Sequence, residues 1–175
     1  MCALGWAMSS GRLPLSTMTG LPRENVQNYP RPPRLEPVAE RLRVVLGGVT
    51  VADTTRGLRV LETHHAPTYY IPPGDVAEGA LRPALGRSFC EWKGRAEYFD
   101  VAGGETVAPR AAWRYPAPTR SFAALAGYVA FYASPMEACF VGETRVVPQP
   151  GDFYGGWVTP NLDGIVKGGP GTEGW

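Results

Sequence analysis

The residues best suited to chemistry fall in two short stretches. The first, "ETHHAPTYY", holds Glu62, His64, His65, Tyr69 and Tyr70, and its histidines are the chain's only two. On a strand, side chains alternate, so Glu62 and His64 share a face. A carboxylate beside an imidazole can orient or charge it for general acid–base work, with His64 as the acid–base group and Glu62 as its orienter. The same pair also fits a strand end with ordinary hydrogen bonds. Two histidines and one glutamate scarcely reach the three or four ligands that a metal site needs. Neither a metal nor another cofactor is expected.

The second stretch is "SFCEWKG". As a strand it puts Ser88, Cys90 and Trp92 on one side, and Phe89, Glu91 and Lys93 on the other. A cysteine near a cation can be a reactive thiolate. Alternation separates Cys90 from Lys93, unless a bulge or the turn at Gly94 re-aims one of them. A free cysteine is also a common core residue. Lys93 and Lys167 are the only lysines; the other basic residues are arginine. Where composition favours arginine, a lysine suits a compact, deprotonatable ammonium, although chance can leave the same pattern. A third, aromatic group comprises Trp92, Tyr98, Trp113, Tyr115, Tyr128 and Tyr132. At strand spacing these serve mainly as core, and some can line a cleft with their polar tips inward. The candidate catalytic residues are thus Glu62, His64, Cys90 and Lys93. The candidate binding residues are Tyr70, Trp92, Trp113 and Tyr115.

Short strands must position them. Gly 22 and Pro 18 among 175 residues lie between apolar runs rather than in repeats, which marks turns. "RLRVVLGGVTVAD" reads as a hairpin about Gly47-Gly48. "LRVLETH" and "PTYYIPP" are further strands, and "PPGDVAEGALRP" a loop with one helical turn. "SFCEWKG" and "RAEYFDVAGGETV" form a hairpin-like pair, the latter turning at Gly103-Gly104. One helix is expected from Thr119 as N-cap to a stop at Gly127. "YVAFYAS" and "EACFVGETRVVP" follow as strands around a turn near Gly142. The hairpins "VVLGGVTVAD" and "CFVGETRVVP" look alike. Four units result: residues 1–21 as a disordered tail or a mis-called start with Met18 as initiator, 22–40 as a proline-rich strap, 41–150 as the β core, and 151–175 as a glycine- and aromatic-rich segment wrapping the sheet.

Bulk properties narrow the function. A net charge of +1 speaks against a nucleic-acid binder with a large basic face. No apolar run reaches 18 residues, so no membrane-spanning helix is expected. Three cysteines, Cys2, Cys90 and Cys139, form no C-x-x-C pair, which disfavours both a zinc site and a disulfide framework and fits a reducing cytoplasm. The abundance of Ala, Gly, Pro and Arg suggests a high-GC, bacterial genome. Dinucleotide-binding, P-loop and nucleophile-elbow signatures are missing.

Taken together, "GGVTVADT", "VLETHHAPTYYIPP", "FCEWKG", "AAWRYPAP", "GYVAFY" and "DFYGGWVTPN" resemble the DUF427 family over roughly Glu24 to Trp175. The resemblance implies a mainly antiparallel, single-domain β-tent (Mss4-like) fold. Some members of the family carry a nucleotidyltransferase label, but the D-x-D spacing that would hold Mg²⁺ is missing here. The zinc that some relatives of that architecture hold through paired C-x-x-C motifs is likewise not carried over. The expected function is binding of an unknown small molecule in a pocket between sheets, with an uncharacterised enzymatic activity as one form of it. The alternatives are a non-catalytic interaction module and a Cys90-dependent thiol reductase.

Overall fold

The structure is a computed structural model and describes residues 20–151 and 153–175. The expected tail at 1–21 and the initiator Met18 lie almost wholly outside the described residues. The chain starts with β1 (Glu24–Asn25), a 3₁₀ turn (Val26–Asn28), β2 (Arg34–Pro37), β3 (Leu42–Leu46), β4 (Val49–Thr54), β5 (Leu58–Leu61) and β6 (Thr68–Tyr70). After a second 3₁₀ turn come the long strands β7 (Leu81–Cys90), β8 (Gly94–Gly103) and β9 (Thr106–Arg114). A third 3₁₀ stretch (Arg120–Leu125) leads to β10 (Val129–Phe131), β11 (Ala138–Val141), β12 (Thr144–Arg145), β13 (Val147–Pro148), β14 (Trp157–Val158) and β15 (Leu162–Asp163). The protein is mainly β, with antiparallel sheets throughout apart from the short parallel β1–β15 pair.

Two four-stranded sheets, β12-β11-β3-β4 and β10-β9-β8-β7, supply most of the core. In β3, alternation buries Leu42, Val44 and Leu46 and turns Arg43 and Val45 outward. They meet Val101 from β8, Ala111 and Ala112 from β9, Phe131 from β10 and Trp157 from the last segment. The two hairpins that look alike in sequence lie side by side, β11 pairing with β3. A three-stranded sheet, β2-β5-β6, completes the layer beside the site. The proline-rich strap therefore contributes a real strand, β2. It is pinned by Arg59, whose guanidinium donates to Glu24 at 2.6 Å and Glu36 at 2.5 Å.

Three local expectations are revised. The turn after β8 falls at Gly104-Glu105, one residue later than Gly103-Gly104, because Gly103 pairs with Thr106. The helix after Thr119 is a 3₁₀ stretch broken at Phe122 (φ −116, ψ 19), and the Thr119 hydroxyl donates to Trp92 O at 2.5 Å instead of capping it. The strand through "SFCEWKG" ends at Cys90; Glu91, Trp92 and Lys93 form the turn into β8.

Candidate functional site

The loop after β5, strand β6, the β7–β8 turn and the end of β9 converge on one hollow of about 350 Å³. Glu62 lines it from just after β5, Tyr70 from β6, Cys90 from the end of β7, Trp92 and Lys93 from the turn, Trp113 from β9 and Tyr115 from just after it. The turn brings Cys90 and Lys93 to the same hollow, where a continuous strand would have separated them. Lys93 Nζ sits 5.8 Å from the Tyr115 ring centre and 5.9 Å from that of Phe122, so its cation faces aromatic surface.

His64 is placed elsewhere. The chain leaves β5 at Leu61 and makes a turn in which His65 N–H donates to Glu62 O at 3.0 Å. His64 takes a left-handed φ of 62° in that turn, so strand alternation no longer applies. Its Nδ1 lies 3.3 Å from Ile165 O, and its ring packs against Trp175 at 4.6 Å. Glu62 has Arg31 as its ion-pair partner at 3.6 Å, not an imidazole. The histidine that lines the hollow is His65.

His65 is fixed by a buried amide. Gln149, 2% exposed, accepts from Ala66 N–H through Oε1, and its Nε2 reaches Lys167 O at 2.9 Å and His65 Nδ1 at 3.3 Å. With Nδ1 accepting from that amide, the imidazole proton belongs on Nε2. Burial, and then the charges of Lys167, Lys93, Arg31 and His64, push the His65 pKa down to about 4. The ring is therefore neutral near neutrality and offers an N–H donor. Burial also raises the phenols of Tyr70, Tyr115 and Tyr132, which stay protonated.

The segment after β13 supplies a further part of the lining. Tyr154 stands edge-on to His65 at 5.0 Å, and Lys167 Nζ lies 5.5 Å from the Tyr154 ring centre. Gly155 is a contact requirement: a Cβ there would sit 2.0 Å from Cη2 of Trp113. A neighbouring hollow of about 560 Å³ adjoins the first and is lined by Arg110, Pro135, Pro148 and Phe153, among others. Sequence reasoning missed His65, Lys167, Gln149 and Arg110. Lys167 carried the same signal as Lys93, rarity. Gln149 and Arg110 carried none, since long-range packing alone brings them here.

Among the described residues, no group of three or more His, Cys, Asp or Glu side chains could hold a metal ion. No described helix is long and apolar enough to cross a membrane. Burial pushes the Cys139 thiol up to about 12, whereas Cys90 is half-buried on the hollow's wall. The chain belongs to the family described as a domain of unknown function (DUF427), whose model matches residues 34–142. That span holds every strand from β2 to β11, while the wall carrying Gln149, Tyr154 and Lys167 follows it. Comparison with curated proteins finds no match.

Proposed function

We propose that this chain binds a small, flat molecule bearing an acidic group, seated between β6, β9 and the β7–β8 turn on one side and the 153–167 segment on the other. One observation carries the reading. The only two lysines of the sequence line the same aromatic hollow, and among the described residues no carboxylate pairs with either. A lysine beside an aromatic face, partly removed from water, favours an anion as its counter-charge. His65 adds a neutral N–H donor, and Tyr70 and Tyr115 add protonated phenols. Trp92, Trp113 and Tyr115 offer ring faces for stacking. The hollow's size falls in the usual range for small-molecule sites.

The same chemistry supports binding over general-base catalysis. With its Nδ1 engaged by Gln149 and its Nε2 protonated, His65 is set to donate a hydrogen bond rather than to abstract a proton. A thermal-shift screen of aromatic carboxylates, aryl phosphates and nucleotides, each beside a neutral amide or ester counterpart, tests the reading. Acids should raise the melting temperature while their neutral counterparts do not; at about 100 times Kd the gain is about 2.7 kcal/mol. Equal shifts for acids and neutral counterparts, or none, would contradict it.

A second reading, a non-catalytic interaction module, is favoured by the outer strand β7, which leaves Leu85 93% and Phe89 77% exposed. An exposed apolar edge strand is a ready template for another chain. The same screen separates the two, since this reading expects no ligand-dependent shift.

A further inference from the structure

The two neighbouring hollows are not independent. Ser88, Tyr98, Tyr132, Phe153, Tyr154 and Gly156 line both, so together they form one two-lobed cleft. Lys93 and Lys167 line the smaller lobe; Arg110 lines the larger.

Arg110 is held there by unusual means. Its φ is 45°, a left-handed conformation rare for a residue with a side chain. Its backbone N–H donates to Asp100 Oδ1 at 2.8 Å, beside a register shift between Phe99 and Val101 in the β8–β9 pairing. The guanidinium lies 4.4 Å from the Tyr98 ring centre. It also passes over Gly86, where a Cβ would come within 3.3 Å of Nη2. Among the described residues no carboxylate pairs with it. Strained backbone that persists is held by its surroundings, and it clusters where a side chain must be aimed. Here the aimed group is a planar cation, suited to grip a carboxylate or phosphate with two parallel bonds.

We infer that the cleft takes an elongated molecule with an acidic group at each end, one held by Lys93 and Lys167 and the other by Arg110, its unsaturated middle crossing the tyrosine-lined seam. This rests on the proposed function of the smaller lobe and extends it to a ligand class, the rigid aromatic dianions. The seam is suited to such a middle. Tyr98 and Tyr132 present ring surface there, and their hydroxyls are already engaged, Tyr98 with Ser88 Oγ at 2.7 Å and Tyr132 donating to Phe153 O at 3.3 Å.

The test is isothermal titration with matched pairs of increasing length: benzoate and terephthalate, then the para-monoacid and para-diacid of biphenyl and of stilbene. Three proteins are compared: wild type, Arg110→Asn and Arg110→Lys. Asparagine tolerates a left-handed φ and so removes the charge with least harm to the backbone. In the wild type, the diacid of best-fitting length should bind about tenfold tighter than its monoacid, a difference of about 1.4 kcal/mol. Arg110→Asn should abolish that advantage and leave monoacid affinity within about twofold, while Arg110→Lys should keep part of it. Monoacids that bind with no diacid gaining, or a gain untouched by Arg110→Asn, would overturn the inference and spare the smaller-lobe reading. Binding of neither class would overturn both.

Discussion

At the scale of residues, His65 is the group at the site whose protonation bears on stability below neutral pH. Burial and nearby cations depress its pKa from 6.5 to about 4. Between those values the unfolded chain binds the extra proton and the folded chain does not, so stability rises with pH across that window. The contribution is fully present above about pH 6.5 and is lost as pH falls to about 4. Melting temperature followed from pH 7 to 4 should therefore fall, and His65→Asn should flatten the curve between 6.5 and 4. An unchanged slope in the variant would show that His65 is not held neutral. The carboxyls of Asp53 and Asp75, lowered by bonds to Arg41 and Thr54 respectively, add a loss of the same sign at lower pH, which the variant leaves in place. The residue types at this site were legible in the sequence, yet the choice between adjacent histidines was not. It turns on one left-handed residue, His64, in a turn with no glycine to announce it.

At the scale of elements, glycine placement decides how the sheets meet. The turn at Gly47 and the strand end at Gly103 pack backbone to backbone. A Cβ on Gly47 would lie 2.0 Å from Gly103 O, and one on Gly103 would lie 2.3 Å from Leu46 O. Neither obstacle is the end of a flexible side chain, so Gly103→Ala must push the β3–β4 and β8–β9 hairpins apart. Overpacking of this kind costs about 1–3 kcal/mol, or roughly 3–10 °C in melting temperature for a chain of this size. Gly74→Ala, with open space around it and no positive φ, should shift the melting temperature far less. Equal effects from the two would refute the contact. Both hairpins were readable from their paired glycines, although only Gly47 and Gly48 both take the positive φ such turns need; in the second pair Gly104 alone does. That the two turns touch could not be read, since it depends on how separate sheets stack. Strand β7 starts earlier than its sequence suggests, at Leu81. Pro83 and Gly86 look like breakers, but they sit at a register shift on an edge strand, where both are tolerated.

At the scale of the whole molecule, the segment after β13 closes the site as well as covering the core. Trp157 is 1% exposed and donates its indole N–H to Phe131 O at 2.9 Å, while Trp157 N–H donates to Pro67 O at 2.9 Å. Lys167 N–H donates to His64 O at 2.7 Å. These bonds tie the segment to the loop carrying both histidines and place Lys167 on the hollow that Lys93 also lines. A wrapping segment could be expected from its aromatics, which bury large areas even from irregular chain. Its role as a wall of the site was hidden, because its partners lie some hundred residues earlier.

A double-mutant cycle on the two lysines decides whether they grip one acidic group. Lys93→Met and Lys167→Met, alone and together, are titrated with the aromatic acid that gives the largest thermal shift in the wild type. If both ammonium groups hold one acidic group, each single change weakens binding by about tenfold or more. The double change then departs from the sum of the two, since the groups share a ligand. Affinities unchanged by either substitution, or an equal loss for a neutral counterpart of the acid, would contradict the account.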